Sequence, residues 1–184
     1  MKRFNCVVAC DRNYGIGWKG RLPWSDAADR KFFHRITSTS DGPITMIMGR
    51  RTYEDMCGAG VIWGYRRPIV VCGGVIPNVT TVRSFADALA DAKGTIWVVG
   101  GKRIYEEALQ HPSCRAAYVT LIPGDHTTDV TVEMLSVVMA NWKRTPVVEH
   151  AGLCFMFERG GWKAEEKYLR LLSKLLVAPI KKNR

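Results

Sequence analysis

Two stretches of the sequence share one layout, and that layout limits the folds open to the chain. "ITMIMGRRTYEDM" (44–56) and "TIWVVGGKRIYEEAL" (95–109) each pass from an apolar run through glycine straight into a helical pattern. A short apolar run without polar alternation reads as a strand covered on both faces, and such strands belong to parallel sheets whose crossovers are helices. "FNCVVACD" (4–11), "RRPIVVCGG" (66–74) and "AAYVTLIPG" (116–124) are further runs of this kind. "SDAADRKFFHRITS" (25–38) reads as a helix with Ser25 or Asp26 as N-cap, and "TTVRSFADALADAK" (80–93) as a short strand and a helix with apolar residues at 85, 88, 89 and 92. "NWKRTPVVEH" and "LCFMFERGG" predict a late hairpin. The expected class is α/β: one domain with a central mixed, mostly parallel sheet flanked by helices and an antiparallel C-terminal edge.

The strand–glycine–helix junctions also suggest chemistry. Glycine lets backbone approach a ligand closely, and a new helix presents free N–H groups to an anion. Gly100 and Gly101 end one strand, and Gly49 ends another. Arg50 and Arg51 stand at the start of the second helix, where cations oppose the helix dipole. They read either as solvated arginines or as the grip on a phosphate, above all the 2′-phosphate of an adenosine. A third glycine cluster, "GIGWKGRLPW" (15–24), matches G-x-G-x-x-G literally. A dinucleotide turn needs its last glycine to open a helix, whereas Gly20 is followed by "RLPW". The stretch therefore reads as a surface loop.

One acid shares a helical stripe with apolar residues. Asp29, Phe32, Phe33 and Ile36 fall at i, i+3, i+4 and i+7. Asp29 is either a first-turn acid that completes a capping pair with Asp26, or a buried acid able to hold and protonate a polar heterocycle. No second carboxylate, Ser-His-Asp set or metal-ligand cluster competes, and His34, His111, His126 and His150 read as surface residues.

The net charge of +10 points to anionic partners, a polyanionic cofactor or nucleic acid among them. Interleaved basic and aromatic residues of the RNA-binding type are missing, so no nucleic acid is expected. Six cysteines without a C-x-x-C pair read as buried thiols of a reducing compartment, and the chain is expected to be cytoplasmic, with no signal peptide. Residues 168, 169, 171, 172, 175 and 176 form an apolar stripe opposite Lys167, Arg170 and Lys174. The expected organisation is a catalytic domain over 1–160 and a basic amphipathic helix or tail over 161–184. That tail is a candidate for packing on the domain, self-association, membrane contact or a link to a second module.

"GIGWKGRLPW" with Asp29 five residues after Trp24, then "IMGRRTYEDM", "RRPIVVC" and "VVGGKRIYEEAL", together resemble dihydrofolate reductase over about residues 4–159. The resemblance implies that family's fold and hydride transfer from NADPH to C6 of 7,8-dihydrofolate, with protonation at N5 to give tetrahydrofolate. It implies Asp29, Leu22, Trp24 and Thr120 as the catalytic set. Asp29 would bind the pteridine amino group and ring nitrogen, Leu22 would ride on a mobile loop, and Thr120 would stand behind the acid. Substrate contacts would come from Val7, Val8, Asp29, Arg30, Phe33, Met56, Arg66, Val99, Tyr105 and Thr120, with Arg66 pairing the glutamate carboxylate. Cofactor contacts would come from Ala9, Ile16, Gly49, Arg50, Arg51, Thr52, Cys72, Gly100, Gly101, Lys102, Arg103, Ile104 and Tyr105. Antifolates such as methotrexate or trimethoprim would compete with the substrate.

The chain also departs from the family. Arg30 replaces a usually apolar residue beside the acid. Cys72 and Gly73 stand where polar or basic residues often help hold the 2′-phosphate. "TDVTVEM" lacks the aromatic-proline ending usual after the residue matching Asp129. A fold relative that reduces a ribosylamino-pyrimidine is the nearest rival, and it lacks the combination of "LPW" with an acid on the next helix.

Overall fold

The computed structural model describes residues 2–147 and 154–160. The link of the expected hairpin, His150 and the tail from 161 onward lie outside the described residues.

Among the described residues, ten strands and five helices follow in the order β1 (Phe4–Cys10), β2 (Gly15–Gly17), α1 (Ala27–Ile36), β3 (Ile44–Gly49), α2 (Arg50–Gly58), β4 (Arg66–Val71), β5 (Thr80–Val82), α3 (Phe85–Asp91), β6 (Thr95–Val98), α4 (Lys102–Gln110), β7 (Cys114–Leu121), β8 (Val130–Thr131), α5 (Met134–Asn141), β9 (Lys143–Pro146) and β10 (Cys154–Glu158). Eight strands form one sheet in the order β5-β4-β3-β6-β1-β7-β10-β9, and β2 pairs with β8 in a separate small sheet. Every neighbouring pair of the large sheet is parallel except those of β10, which runs antiparallel to both β7 and β9.

Alternate residues of each strand point to opposite faces, so the apolar runs feed two cores. On one face Phe4, Cys6 and Val8 of β1 join Ile69, Val98 and the helices α3, α4 and α5. There the Phe4 and Phe85 rings meet edge to face at 5.4 Å, and both are 1% exposed. Truncating such a buried ring to Ala costs about 3–5 kcal/mol. On the other face Val7, Met46, Met48, Val70, Trp97 and Val99 pack under Phe33 and Ile36 of α1 and Tyr53 and Met56 of α2. The helix after β3 thus covers one face, and the helix after β6 covers the other. Since β3 and β6 are neighbours, their C-terminal ends open a crevice at a topological switch point, where open α/β sheets bind ligands.

Four details differ from the sequence-based expectation. Gly15–Gly17 is a short strand, paired with Val130–Thr131, inside what reads as plain loop. Helix α5 shows only a weak stripe in the sequence: Met134, Leu135, Val137 and Val138 form its buried face, but Met139 and Ala140 on the other side are apolar too and blur the 3.6-residue signal. The strand at 66–74 ends at Val71, so Cys72 and the glycines after it form a turn. His111 and His126 are half-buried. The His111 ring lies 5.8 Å from Phe4 and 5.9 Å from Phe85 while its Nδ1 accepts the Ser113 N–H, and the His126 ring packs on Trp24 at 5.1 Å.

Candidate active site

The two strand–glycine–helix junctions touch across the crevice. Gly49 N–H donates to Gly100 O at 2.7 Å. The Gly100–Gly101 peptide is cis, and Gly100 adopts φ +116° with Tyr105 beneath it, where an added Cβ would come within 3.0 Å of the ring. A Cβ on Gly101 would stand 3.2 Å from Thr52 Oγ1. Gly49 and Gly101 are the N-caps of α2 and α4, and neither helix start has a side-chain cap. The first-turn N–H groups are thus free of side-chain acceptors at a place bare of side chains, which suits the phosphates of a dinucleotide. Thr52 and Ile104 lie beside this seat, Ile104 with its side chain in the core.

Arg50 and Arg51 are both exposed. Arg50 Nε bonds Glu54 Oε1 at 2.7 Å, one helical turn on, and its Nη1 lies 3.9 Å from where a Cβ on Gly74 would stand. The fork thus faces the turn after β4. Cys72 at that turn donates its thiol to Gly74 O at 2.9 Å. Arg51 instead lines an open crevice of about 600 Å³ with Lys19 and Arg21 of the loop and Glu54, Asp55 and Gly58 of α2. The two arginines therefore serve different parts of the surface, rather than one common point.

The loop is braced from both ends. At its root, Asp11 is fully buried and its Oδ1 accepts N–H groups from Asn13 at 2.9 Å and Gly15 at 2.8 Å. At its middle, Asp129 N–H donates to Gly17 O at 3.0 Å, and Asp129 Oδ2 accepts the Lys19 N–H at 3.0 Å. Trp18 and Arg21 close the tip with two backbone bonds. Leu22 is 51% exposed, while Trp24 is half-buried with its Nε1 enclosed and unpartnered.

Asp29 follows from the cap of α1. Asp26 is the N-cap and its Oδ1 accepts the Asp29 N–H at 2.8 Å, which fixes where the helix begins and which way Asp29 faces. Asp29 is half-buried rather than buried outright. Burial, the Cys6 thiol and then the Asp29 charge push the Tyr105 hydroxyl well above its usual range. The Cys154 thiol is pushed up to about 11 by burial, held back by the Thr120 hydroxyl, and raised further by Asp29. The acid is thus within electrostatic reach of the ends of α4, β7 and β10. Ala9, Thr120 and Cys154 lie in one row across three strands, with the Thr120 hydroxyl buried beside the Cys154 thiol. Tyr105 donates its hydroxyl to Val7 O at 2.7 Å and so locks α4 to β1.

Arg66 is 5% exposed. Its Nε donates to Trp63 O at 3.2 Å, its Nη1 to Thr37 Oγ1 at 3.3 Å and its Nη2 to Ile62 O. Burial lowers its pKa, and among the described residues no carboxylate pairs with it. A buried guanidinium held only by neutral oxygens is well suited to an incoming carboxylate.

Val7, Phe33, Met56 and Val99 thus share one sheet face, with Asp29 on the helix above it. The side chains of Val8, Ile16, Ile104 and Tyr105 pack against the other face, leaving mainly backbone to offer at Val8 and Ile16. Arg30 is exposed and bonds Ser25 Oγ at 2.9 Å. Lys102 turns to Glu133, and Arg103 is exposed. Sequence reasoning missed Asp11, Thr37, Glu54 and Asp129. The Asp-x-x-x-Gly turn was the available signal for Asp11, whereas the other three act through contacts far apart in sequence or through a single helical turn.

Comparison with known proteins bears on the family and the fold. A family profile described as dihydrofolate reductase matches residues 3–151. The dihydrofolate reductase of Drosophila melanogaster is 34% identical over 136 residues, 66% of this chain and 74% of the fly protein. The bifunctional dihydrofolate reductase-thymidylate synthase of Daucus carota is 30% identical over 82% of this chain, which spans 32% of that longer protein. A solved dihydrofolate reductase from Enterococcus faecalis, complexed with NADP(H) and RAB-propyl, superposes with a TM-score of 0.67 at 23% identity, covering 86% of this chain and 97% of that one. The chain belongs to the dihydrofolate reductase family.

Proposed function

We propose that the chain reduces 7,8-dihydrofolate to 5,6,7,8-tetrahydrofolate with NADPH, Asp29 holding the pterin and assisting protonation at N5. Membership of the family supports an NADPH-dependent oxidoreductase. The observation that carries the residue-level reading is Asp29 above an apolar floor of Val7, Val99, Phe33 and Met56. Beside that floor lie the two glycine junctions of the β3–β6 crevice.

NADPH, when bound, supplies the hydride. The chain's part is to bind, orient and keep water out. The backbone at Gly49, Gly100 and Gly101 and the hydroxyl of Thr52 are suited to the diphosphate and the Arg50 fork to the 2′-phosphate, while Arg51 lines the separate opening between the loop and α2. The Asp29 carboxylate can pair with the pterin's amino group and ring nitrogen in two parallel hydrogen bonds. Trp24 Nε1, enclosed and unpartnered, and the buried Thr120 hydroxyl are the polar groups nearest in kind to complete that set. Arg66 would take the glutamate carboxylate, and Leu22 would cover the reacting rings as the loop comes down. The basic amphipathic pattern of 161–184 is a candidate contact for a second copy or an anionic membrane surface. Sedimentation of a chain ending at Gly160 against the full chain tests self-association.

The test of the function is NADPH oxidation followed by its near-ultraviolet absorbance, with and without dihydrofolate, and with methotrexate added. Oxidation that depends on dihydrofolate and stops with methotrexate is expected, and oxidation indifferent to both would end the reading.

A further inference from the structure

The first residue of α4 and the strand that braces the loop share one carboxylate. Lys102 Nζ lies 3.1 Å from Glu133 Oε1 and 3.0 Å from Oε2. Thr131 Oγ1 donates to Glu133 Oε1 at 3.0 Å. Thr131 belongs to β8 and is the direct partner of Gly15 in β2, and the next residue, Val132, donates its N–H to Tyr14 O at 3.0 Å. Glu106, one turn along α4 from Lys102, accepts the Met134 N–H at 3.5 Å and hydrogen-bonds the Glu133 carboxyl. Exposed ion pairs contribute little to stability, and Lys102 and Glu133 are 44% and 64% exposed. The distinction of this network is its position. One end adjoins Gly101, where the cofactor phosphates are proposed to sit, and the other end holds the loop of residues 15–24.

We infer that Glu133 is a positioning residue that couples cofactor binding at the Gly100–Gly101 end of α4 to the ordering of the loop. The inference rests on the NADPH reading above. An anion bound at the start of α4 fixes that helix end and its Lys102. Lys102 fixes the Glu133 carboxylate, and Glu133 with Thr131 fixes β8, the strand that pairs with β2. Each ligand-stabilised end makes the next contact less costly to order, which is what coupling between two sites requires.

The same network carries a pH dependence. The charged groups acting on Glu106 are Glu133, from the segment leading into α5, and Lys102, from its own helix. Burial, aided by the bond to Glu133, raises Glu106 to about 7. Burial also works against the Glu133 charge, but bonds from its own backbone, Lys102, Glu106 and Thr131 hold it at about 2. Below neutrality protonated Glu106 donates a hydrogen bond to the Glu133 carboxylate, whereas above it two carboxylates face a single lysine. The coupling therefore weakens as pH rises through about 7.

Hydrogen–deuterium exchange of the peptide covering residues 12–24, with and without saturating NADPH, tests this in wild type, Glu133→Gln, Thr131→Val and Glu106→Gln at pH 6 and pH 8. Each variant is first checked by circular dichroism. The expected protection by NADPH in wild type at pH 6 exceeds that in Glu133→Gln by about fivefold, the lower end of ordinary coupling. Thr131→Val shifts it the same way by less. The KM for NADPH rises in Glu133→Gln while kcat at saturating NADPH changes little. Wild-type protection is greater at pH 6 than at pH 8, and in Glu106→Gln it is the same at both. Equal loop protection in wild type and Glu133→Gln, or equal absence of it, overturns the inference. Turnover of dihydrofolate by the wild type, measured separately, tells that failure apart from a failure of the functional reading.

Discussion

Asp29 shows how a local bond can serve a distant task. The spacing of α1 left two readings, a partner for the Asp26 cap or an acid facing the core. In the structure the backbone N–H of Asp29 completes the cap, while its half-buried side chain lies within electrostatic reach of Tyr105 and Cys154. The two readings competed only because sequence spacing cannot separate a residue's backbone from its side chain. Asp29→Asn keeps the N–H and the size of the side chain, so the fold should hold. Turnover near neutral pH should fall by about a hundredfold or more, the usual weight of a general acid, while NADPH affinity from fluorescence titration stays close to wild type. A variant that turns over at the wild-type rate removes Asp29 from the chemistry. Arg50 was legible from the unfavourable place of a cation at a helix start, whereas its partner Glu54 was not, since one i,i+4 pair looks like any surface pair. Arg50→Ala should raise the KM for NADPH by about tenfold or more, the weight of a charge-assisted phosphate contact, and leave that for NADH nearly unchanged. Equal loss for both cofactors would place the 2′-phosphate elsewhere.

At the scale of elements, the strands and helices with strong periodicity were readable, and the weakly patterned ones were not. Strands β2 and β8 have three and two residues, too few for any period. Helix α5 buries one face, but Met139 and Ala140 on its other side are also apolar, so its stripe is weak. These unread elements are the ones that hold the loop, and so the loop's bracing was invisible while the loop itself was plain. The junction of α4 with the start of α5 has a thermodynamic consequence of its own. Glu106 has its folded-state pKa raised to about 7, above the usual carboxylate value. The folded state therefore binds more protons there than the unfolded chain between about pH 4.5 and 7. This term favours folding at the acid end of that window and is lost as pH rises through it. Glu133, held at about 2, acts oppositely and loses its contribution only as pH falls below the usual carboxylate range. Glu106→Gln should thus unfold in more urea than wild type at pH 8, by about 1 kcal/mol after allowing for solvent screening, and the gap should close toward pH 5. A gap that is constant with pH would show that Glu106 does not titrate in this window.

At the scale of the whole molecule, function follows from one topological fact. The helices after β3 and β6 leave toward opposite faces of the sheet, so the backbone parts between two neighbouring parallel strands and leaves a crevice lined by glycine. Alternation of strands and helices implied a parallel sheet, but strand order is a matter of long-range pairing and could not be read from spacing. Every candidate residue of the site lies between Val7 and Thr120, yet the sheet extends further, to Glu158 at the end of β10. That strand is no ornament. It lies between β7 and β9, buries Cys154 and Phe157 to 0% and 1% exposure, and sets Cys154 opposite Thr120. A chain ending at Gly160 keeps all of this, and, with the catalytic domain proposed to lie within 1–160, should unfold cooperatively and turn over dihydrofolate within about twofold of the full chain. A chain ending at Val147 loses β10, exposes the flank of β7 and empties the space filled by Phe157, a loss of about 3–5 kcal/mol for the ring alone. Against a typical stability of about 5–15 kcal/mol, removal of the whole strand should leave no cooperative urea transition and no turnover. If the chain ending at Gly160 were folded but inactive, residues 161–184 would have to supply part of the working enzyme, and the catalytic unit could not be confined to the first 160 residues.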